Sequence, residues 1–255
     1  MTLGLIAFIA ALGTCIGVAG GLLGVGTSVF TVLLLIHVAG LSMGSAVSTS
    51  LVIVAATSGV ALIPYCRAGA VMWRAGAAFS VASMTGAFVG GLASGWMPTR
   101  AVVAIFSMAM VAAAIAMLWT PRPRASEDER GSNPSMLAVA AAGLPIGGMT
   151  GLVGLGGGFA VLPLLVLFTS TPLRSAVGTT LLVVALNTLA GLAGHFPHAA
   201  VAWRLAVCVG VAASAGSLLG ARLGRGVDLR VLRRVCAAVM IVAAAAVLVA
   251  GKSGG

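Results

Sequence analysis

Between Gly151 and Gly158 the chain places five glycines in eight residues, in surroundings that are otherwise nearly pure Ala, Val and Leu. Each glycine in a helix interior costs roughly 0.8–1 kcal/mol against alanine, so the run Gly147–Gly158 is expected to interrupt a helix. Open backbone groups in an apolar setting are tolerated only where they are buried in protein or line a wet cavity. The same feature stands earlier, where Gly17, Gly20, Gly21, Gly24 and Gly26 precede Thr27 and Ser28. Two helix breaks inside apolar sequence constrain the fold more tightly than any other feature of the chain.

The solvent of this chain is lipid. Only 7% of its residues are charged, against about 25% in soluble domains, and the mean hydropathy is +1.19. The net charge of +10 does not point to nucleic acid, because the basic residues stand almost wholly between apolar segments, where topology signals belong. Met1–Cys15 has no Lys or Arg for a basic leader region, so the first apolar segment is expected to be retained. Cys15, Cys66, Cys208 and Cys236 are isolated and are expected to be buried structural thiols.

Sliding the chain along itself by 130 residues aligns its halves without a gap. Gly21, Gly24 and Gly26 fall on Gly151, Gly154 and Gly156; Ser45–Leu51 falls on Ser175–Leu181; Trp73 and Arg74 fall on Trp203 and Arg204; Gly86 and Gly90 fall on Gly216 and Gly220. The expected fold is therefore an all-α polytopic membrane protein built from two repeats, residues 1–120 and 136–251. A polar cytoplasmic linker, 121–135, joins them and carries Glu127, Asp128 and Glu129. Each repeat has about five apolar segments, four long and one short broken helix. They run 3–20, 28–41, 46–65, 72–95 and 101–119, then 136–153, 158–171, 176–195, 201–221 and 231–250.

The short segments, 28–41 and 158–171, would reach about 21 Å as helix, less than the ~30 Å hydrocarbon core. If they re-enter, each repeat crosses four times and the repeats are parallel; if they cross, the repeats are inverted. Five crossings put eleven of the 14 Lys and Arg residues on one side and three on the other; four crossings divide them evenly. The positive-inside rule favours five crossings and inverted repeats, with both termini outside.

Inverted repeats with glycine-broken helices are the pattern of secondary transporters, whose sites lie near the midplane where the repeats meet. A short helix beginning at Thr27 and Ser28, or at Gly157 and Gly158, would point free N–H groups and a positive dipole end at an anion, and Gly24, Gly26, Gly154 and Gly156 would let the backbone approach it closely. A second set of candidate substrate ligands is Ser48, Thr49 and Ser50, matched by Gly178, Thr179 and Thr180, with Thr57 and Ser58 at the positions equivalent to Asn187 and Thr188. Their alternative is bonding back to their own helices. Gly86, Gly90, Gly216 and Gly220 are expected to pack helices.

Acids are informative by their placement. Asp228 lies in a basic loop and the other three lie in the linker, which argues against a carboxylate proton relay or a cation site within the membrane. His195 and His198 have a two-ligand metal spacing, but Pro197 spoils a helical display; with His37 they read as interface histidines. No catalytic residue, metal site or cofactor is expected, and the chain is not expected to be an enzyme.

The paired glycine breaks, Pro163 after the second, and the segment Ser175-Ala-Val-Gly-Thr-Thr180 resemble the sulfite exporter TauE/SafE family, from about Gly4 to Val249. That resemblance implies a multi-pass permease of the bacterial inner membrane moving sulfite, sulfoacetate or related sulfur-containing or organic anions. Its implied partners are the lipid bilayer and a small anionic substrate; an oligomer is compatible with it and nucleic acid is not called for. The first repeat departs from the fuller pattern, with Thr27 and Ser28 opposite Gly157 and Gly158, and Leu33 opposite Pro163. The competing reading is a membrane-embedded enzyme or assembly factor of sulfur metabolism, which would need a nucleophile, metal set or acid–base pair inside the membrane.

Overall fold

The computed structural model describes Leu3–Leu23, 28–93, Trp96, 136–153, 173–195 and 200–224, with scattered helical residues within 107–115, 161–165 and 231–245. The described residues form helices throughout: α1 (Leu3–Leu23), α2 (Ser28–His37), α3 (Met43–Arg67), α4 (Trp73–Ala93), α5 (Met136–Val153), α6 (Leu173–His195) and α7 (Trp203–Leu223). Four of them, α3, α4, α6 and α7, are long and apolar enough to cross a membrane, and the stretches Phe8–Leu22 and Ser28–His37 form shorter apolar helices. The linker 121–135 lies outside the described residues.

α3 and α6 are central. In each, 61% of the spanning window is buried, against 44% in α4 and α7. The outer helices turn Val81, Phe88 and Val89, and Val207, Val211 and Leu219, outward. In water such apolar faces would be association patches; in a bilayer they are the lipid contact. Cys15 is exposed and Cys66 and Cys208 are only partly buried, which corrects the expectation of buried thiols: lipid is as apolar as a protein core, so a thiol can face it at little cost. Cys236 lies outside the described residues.

Glycines bring the helices together. A Cβ built on Gly13, Gly17 or Gly21 of α1 would meet Val209, Ala213 or Ser217 of α7; one on Gly143, Gly147 or Gly151 of α5 would meet Phe79, Ser83 or Ala87 of α4. The partners return the favour, with Gly216 and Gly220 against the carbonyls of Thr14 and Val18, and Gly86 and Gly90 against those of Leu144 and Gly148. All of these pairs match at the offset of 130 residues. The first halves of both glycine runs thus stay helical, and the expectation that the helix breaks from Gly147 onward is corrected: α5 continues through Gly147, Gly148 and Gly151 to Val153. Close packing at four-residue spacing outweighs the propensity penalty there.

The contacts also fix direction. Numbers rise together from Gly13–Val209 to Gly21–Ser217, so α1 and α7 run the same way; so do α5 and α4, from Gly143–Phe79 to Gly151–Ala87. α3 follows α7, through Thr49–Ala202, Thr57–Ser217 and Tyr65–Gly224. α6 follows α4, through Thr179–Met72, Asn187–Ser83 and His195–Gly91. α3 and α6 oppose one another, because Tyr65 meets Gly178 while Leu51 meets Gly191. Hence α1, α3 and α7 run one way, and α4, α5 and α6 the other. This places Arg67, Arg74, Arg174 and Arg222, all exposed, at one end of the bundle, and Arg204 at the opposite end. Trp73 and Trp203, each 58% exposed, mark the two ends as interfacial anchors.

α3 stops on a Schellman motif: Ala70 N–H bonds Tyr65 O at 2.9 Å and Gly69 N–H bonds Cys66 O at 3.0 Å. Gly69 takes the left-handed conformation, φ 64°, that this motif needs.

A buried polar belt as the candidate functional site

A helix start leaves backbone N–H groups without partners, and in an apolar bundle they must find acceptors inside the protein. Thr49 of α3 accepts the N–H of Ala202, just before α7, at 3.0 Å. Thr179 of α6 accepts that of Met72, just before α4, also at 3.0 Å, and donates its own proton to Ser175 O at 2.7 Å. Both pairs are related by the 130-residue offset.

From the second turn of α3 and α6 to past their middles runs a belt of buried polar side chains. On the α7 side, Ser217 Oγ donates to the carbonyl of Thr57 at 3.1 Å. On the α4 side, Ser83 Oγ donates to Asn187 Oδ1 at 2.6 Å. Thr57 and Thr188 bond back to their own helices, to Val54 O at 3.1 Å and to Val184 O at 2.8 Å, as does Ser50, to Val47 O at 2.8 Å. Four buried side-chain groups in α3, α4 and α6 have no hydrogen-bond partner: Ser48 Oγ, Ser80 Oγ, Thr180 Oγ1 and Asn187 Nδ2. The belt contains hydroxyls and one amide. Helices α1 to α7 carry no Asp or Glu.

The candidate ligands therefore divide. Thr49 and Thr179 hold helix starts, Ser50 is satisfied within its helix, and Gly178 packs against the carbonyl of Ala70 and against Tyr65. Ser48, Thr180 and Asn187 keep buried side-chain groups without a hydrogen-bond partner. Ser28 begins α2 and is buried, with Thr31 buried one turn on. Gly24, Gly26, Thr27, Gly154, Gly156, Gly157 and Gly158 lie outside the described residues, as does His198. Ser80, Ser83 and Ser217 were not marked by their sequence context; a serine in an apolar helix ordinarily bonds its own backbone, and only the register between helices singles these out.

The two histidines differ. His37 ends α2, exposed, with Nδ1 3.1 Å from Leu33 O. His195 ends α6, buried, with Nδ1 2.9 Å from Gly191 O and packed beside Gly91. Its equivalent at the 130-residue offset is Tyr65, whose hydroxyl donates to Gly21 O at 3.3 Å. Among the described residues no three His, Cys, Asp or Glu side chains come together.

A helical bundle with lipid-facing flanks and a buried hydrogen-bonding interior can be compared with known membrane proteins. The family described as Sulfite exporter TauE/SafE matches residues 9–247. The chain belongs to this family. Among TauE/SafE relatives, a probable membrane transporter protein of Xylella fastidiosa strain 9a5c is 30% identical over 216 residues, 83% of this chain and 82% of the relative. One from strain Temecula1 is 30% identical over 241 residues, covering 91% and 90%. The probable membrane transporter protein YunE of Bacillus subtilis is 23% identical over 256 residues, covering 94% and 93%. No solved structure matches the chain. The family and these relatives identify a multi-pass bacterial membrane transporter rather than an enzyme.

Proposed function

We propose that this TauE/SafE member is a secondary transporter for a small anion, a sulfur-containing oxyanion or organosulfonate, bound where two inverted repeats meet. The observation that carries the anion is the polar belt: buried hydroxyl and amide groups without hydrogen-bond partners, in helices that contain no carboxylate. Such a belt can solvate negative charge by donation and has no fixed charge with which to hold a cation.

The inverted arrangement is supported by direction. α1 and α5, α3 and α6, and α4 and α7 are equivalent at the 130-residue offset, and each pair runs oppositely. α1 and α3 run the same way, so the chain between Leu23 and Met43 must return across the bundle. α2 accounts for about 15 Å of that return, which favours crossing over re-entry and hence five segments in each of the units 1–120 and 136–251. The basic end, with Arg67, Arg74, Arg174 and Arg222, is then cytoplasmic by the positive-inside rule, as is the linker 121–135.

Transport needs no coupled ion on this reading. An inside-negative potential of about 100 mV favours outward movement of a monovalent anion by about 2.3 kcal/mol, a gradient of roughly 40-fold at ~1.4 kcal/mol per decade. The test is anion uptake into proteoliposomes clamped with valinomycin at equal pH on both sides, for wild type, His37→Gln and His195→Gln. Flux should follow the imposed potential in all three. Flux that ignores the potential, requires a pH gradient and disappears in either histidine variant would make that histidine a coupling site and reject the uniport.

A further inference from the structure

We propose that the anion site is the seam between α4 and α6, one-sided rather than shared equally by the repeats, and that it selects the singly charged form of a small oxyanion. The proposal deepens the transport reading and rests on it.

Three buried groups on this seam lack partners: Ser80 Oγ, Thr180 Oγ1 and Asn187 Nδ2, in side chains 2%, 0% and 2% exposed. Their arrangement follows from the register. Thr180 and Asn187 stand seven residues apart and so share a face of α6, about 10 Å apart along the axis. On α4, Gly76 lies against Thr179 and Leu182, and Ser83 bonds Asn187. Ser80, between Gly76 and Ser83, therefore falls between Thr180 and Asn187 in height. The Ser83 hydroxyl occupies Asn187 Oδ1, which turns the amide N–H groups toward whatever else enters the seam. Leaving buried donors unmet is unfavourable, and three in one seam, beside a fourth group that orients one of them, describe a binding surface rather than helix packing.

The other seam is built differently. At the 130-residue offset Ser80, Ser83 and Asn187 become Gly210, Ala213 and Thr57, and Thr180 becomes Ser50. Thr57 and Ser50 are satisfied by their own helices, and a Cβ on Gly210, though that residue is buried, would meet nothing within 4 Å. The α3–α7 seam has room there but lacks unpartnered donors at these positions: Ser217 is taken up by Thr57 O, and Ser48 Oγ, the unpartnered group on α3, lies nine residues before Thr57, near the start of that helix.

The charge preference follows from the neutrality of the set. The penalty for taking an ion out of water rises with the square of its charge, whereas its attraction to neutral dipoles rises only linearly. Donors without a buried Lys or Arg among the described residues therefore favour one negative charge over two. The membrane potential acts the other way, since it drives a dianion twice as hard.

The experiment uses the full-length protein in potential-clamped proteoliposomes with methanesulfonate, fixed at one charge, and sulfate, fixed at two, alongside thermal-shift binding of both anions to the purified protein. Wild type should carry methanesulfonate at least tenfold faster than sulfate. Ser80→Ala, Thr180→Val and Asn187→Asp should each lower methanesulfonate uptake and binding at least tenfold, and Gly210→Ser should leave both within twofold. Ser80→Ala and Thr180→Val keep the test valid if Asn187→Asp does not fold. Methanesulfonate flux at wild-type rates in those two variants overturns the seam while leaving the transporter reading intact. Equal rates for the two anions overturn the charge selection. Methanesulfonate binding that needs Ser80 and Thr180, in a wild type that carries neither anion, upholds the seam and rejects transport instead.

Discussion

Thr49 and Thr179 act across the molecule rather than within their helices. Each accepts a backbone N–H at the start of a helix from the other half of the chain, at a part-buried position. Thr49→Val and Thr179→Val should each destabilise the protein by about 1 kcal/mol, the lower end of the penalty for an unmet buried donor, because each site is only part-buried. This would be read as a lower melting temperature in detergent. The pairs stand at opposite ends of the bundle, so the double variant should lose nearly the sum. A melting temperature unchanged in both single variants would mean that these N–H groups have other acceptors. In the sequence the two threonines are visible as an equivalent pair and suggest ligand contact; their use as acceptors for distant helix starts depends on a register between helices that no local pattern encodes. Asn187 was legible for a simpler reason, being the one amide in its apolar segment. Ser80 and Ser83 were not, because serine at such positions looks the same whether it bonds its own helix or a neighbour.

At the scale of the helix, glycine serves two purposes that composition alone does not separate. Four-residue spacing made Gly86, Gly90, Gly216 and Gly220 readable as packing positions, and the structure places them against facing backbone. Gly147 and Gly151 belong to the same class, although their neighbours made them look like part of a break; the partner stripe on α4 that holds them in a helix is invisible from α5 alone. Gly17→Ala and Gly147→Ala should therefore be severe, since the added methyl falls on the carbonyls of Ala213 and Ser83. Their folded yield after membrane extraction should drop several-fold. Gly210→Ala should be tolerated, with a yield near that of wild type, because a buried open space receives the methyl. Equal yields for all three would contradict the close approach of α1 to α7 and of α5 to α4.

For the molecule as a whole, helix direction gives a prediction about sides. With the native cysteines replaced by alanine, Ala68→Cys and Ala200→Cys place single thiols in exposed turns at opposite ends of the bundle. A membrane-impermeant maleimide should label residue 200 from outside intact cells and residue 68 only after the membrane is opened. Labelling of both from the same side would refute the inverted arrangement. The all-helical membrane character and the extents of the described long helices were readable because lipid solvation leaves a strong mark on sequence; the exchange of partners between halves was not, because glycine stripes do not name the helix they meet. That exchange has a consequence for how the protein is made. α1 rests on α7 and α5 on α4, so Gly17 is synthesised about two hundred residues before Ala213, the residue it packs against. At roughly 5–20 residues per second, α1 waits on the order of 10–40 s before the helix that covers its glycine face exists. Through that interval the nascent chain has no closed interior. Anything that stalls synthesis beyond the linker leaves a half-molecule whose packing surfaces are open to degradation or to the wrong helix.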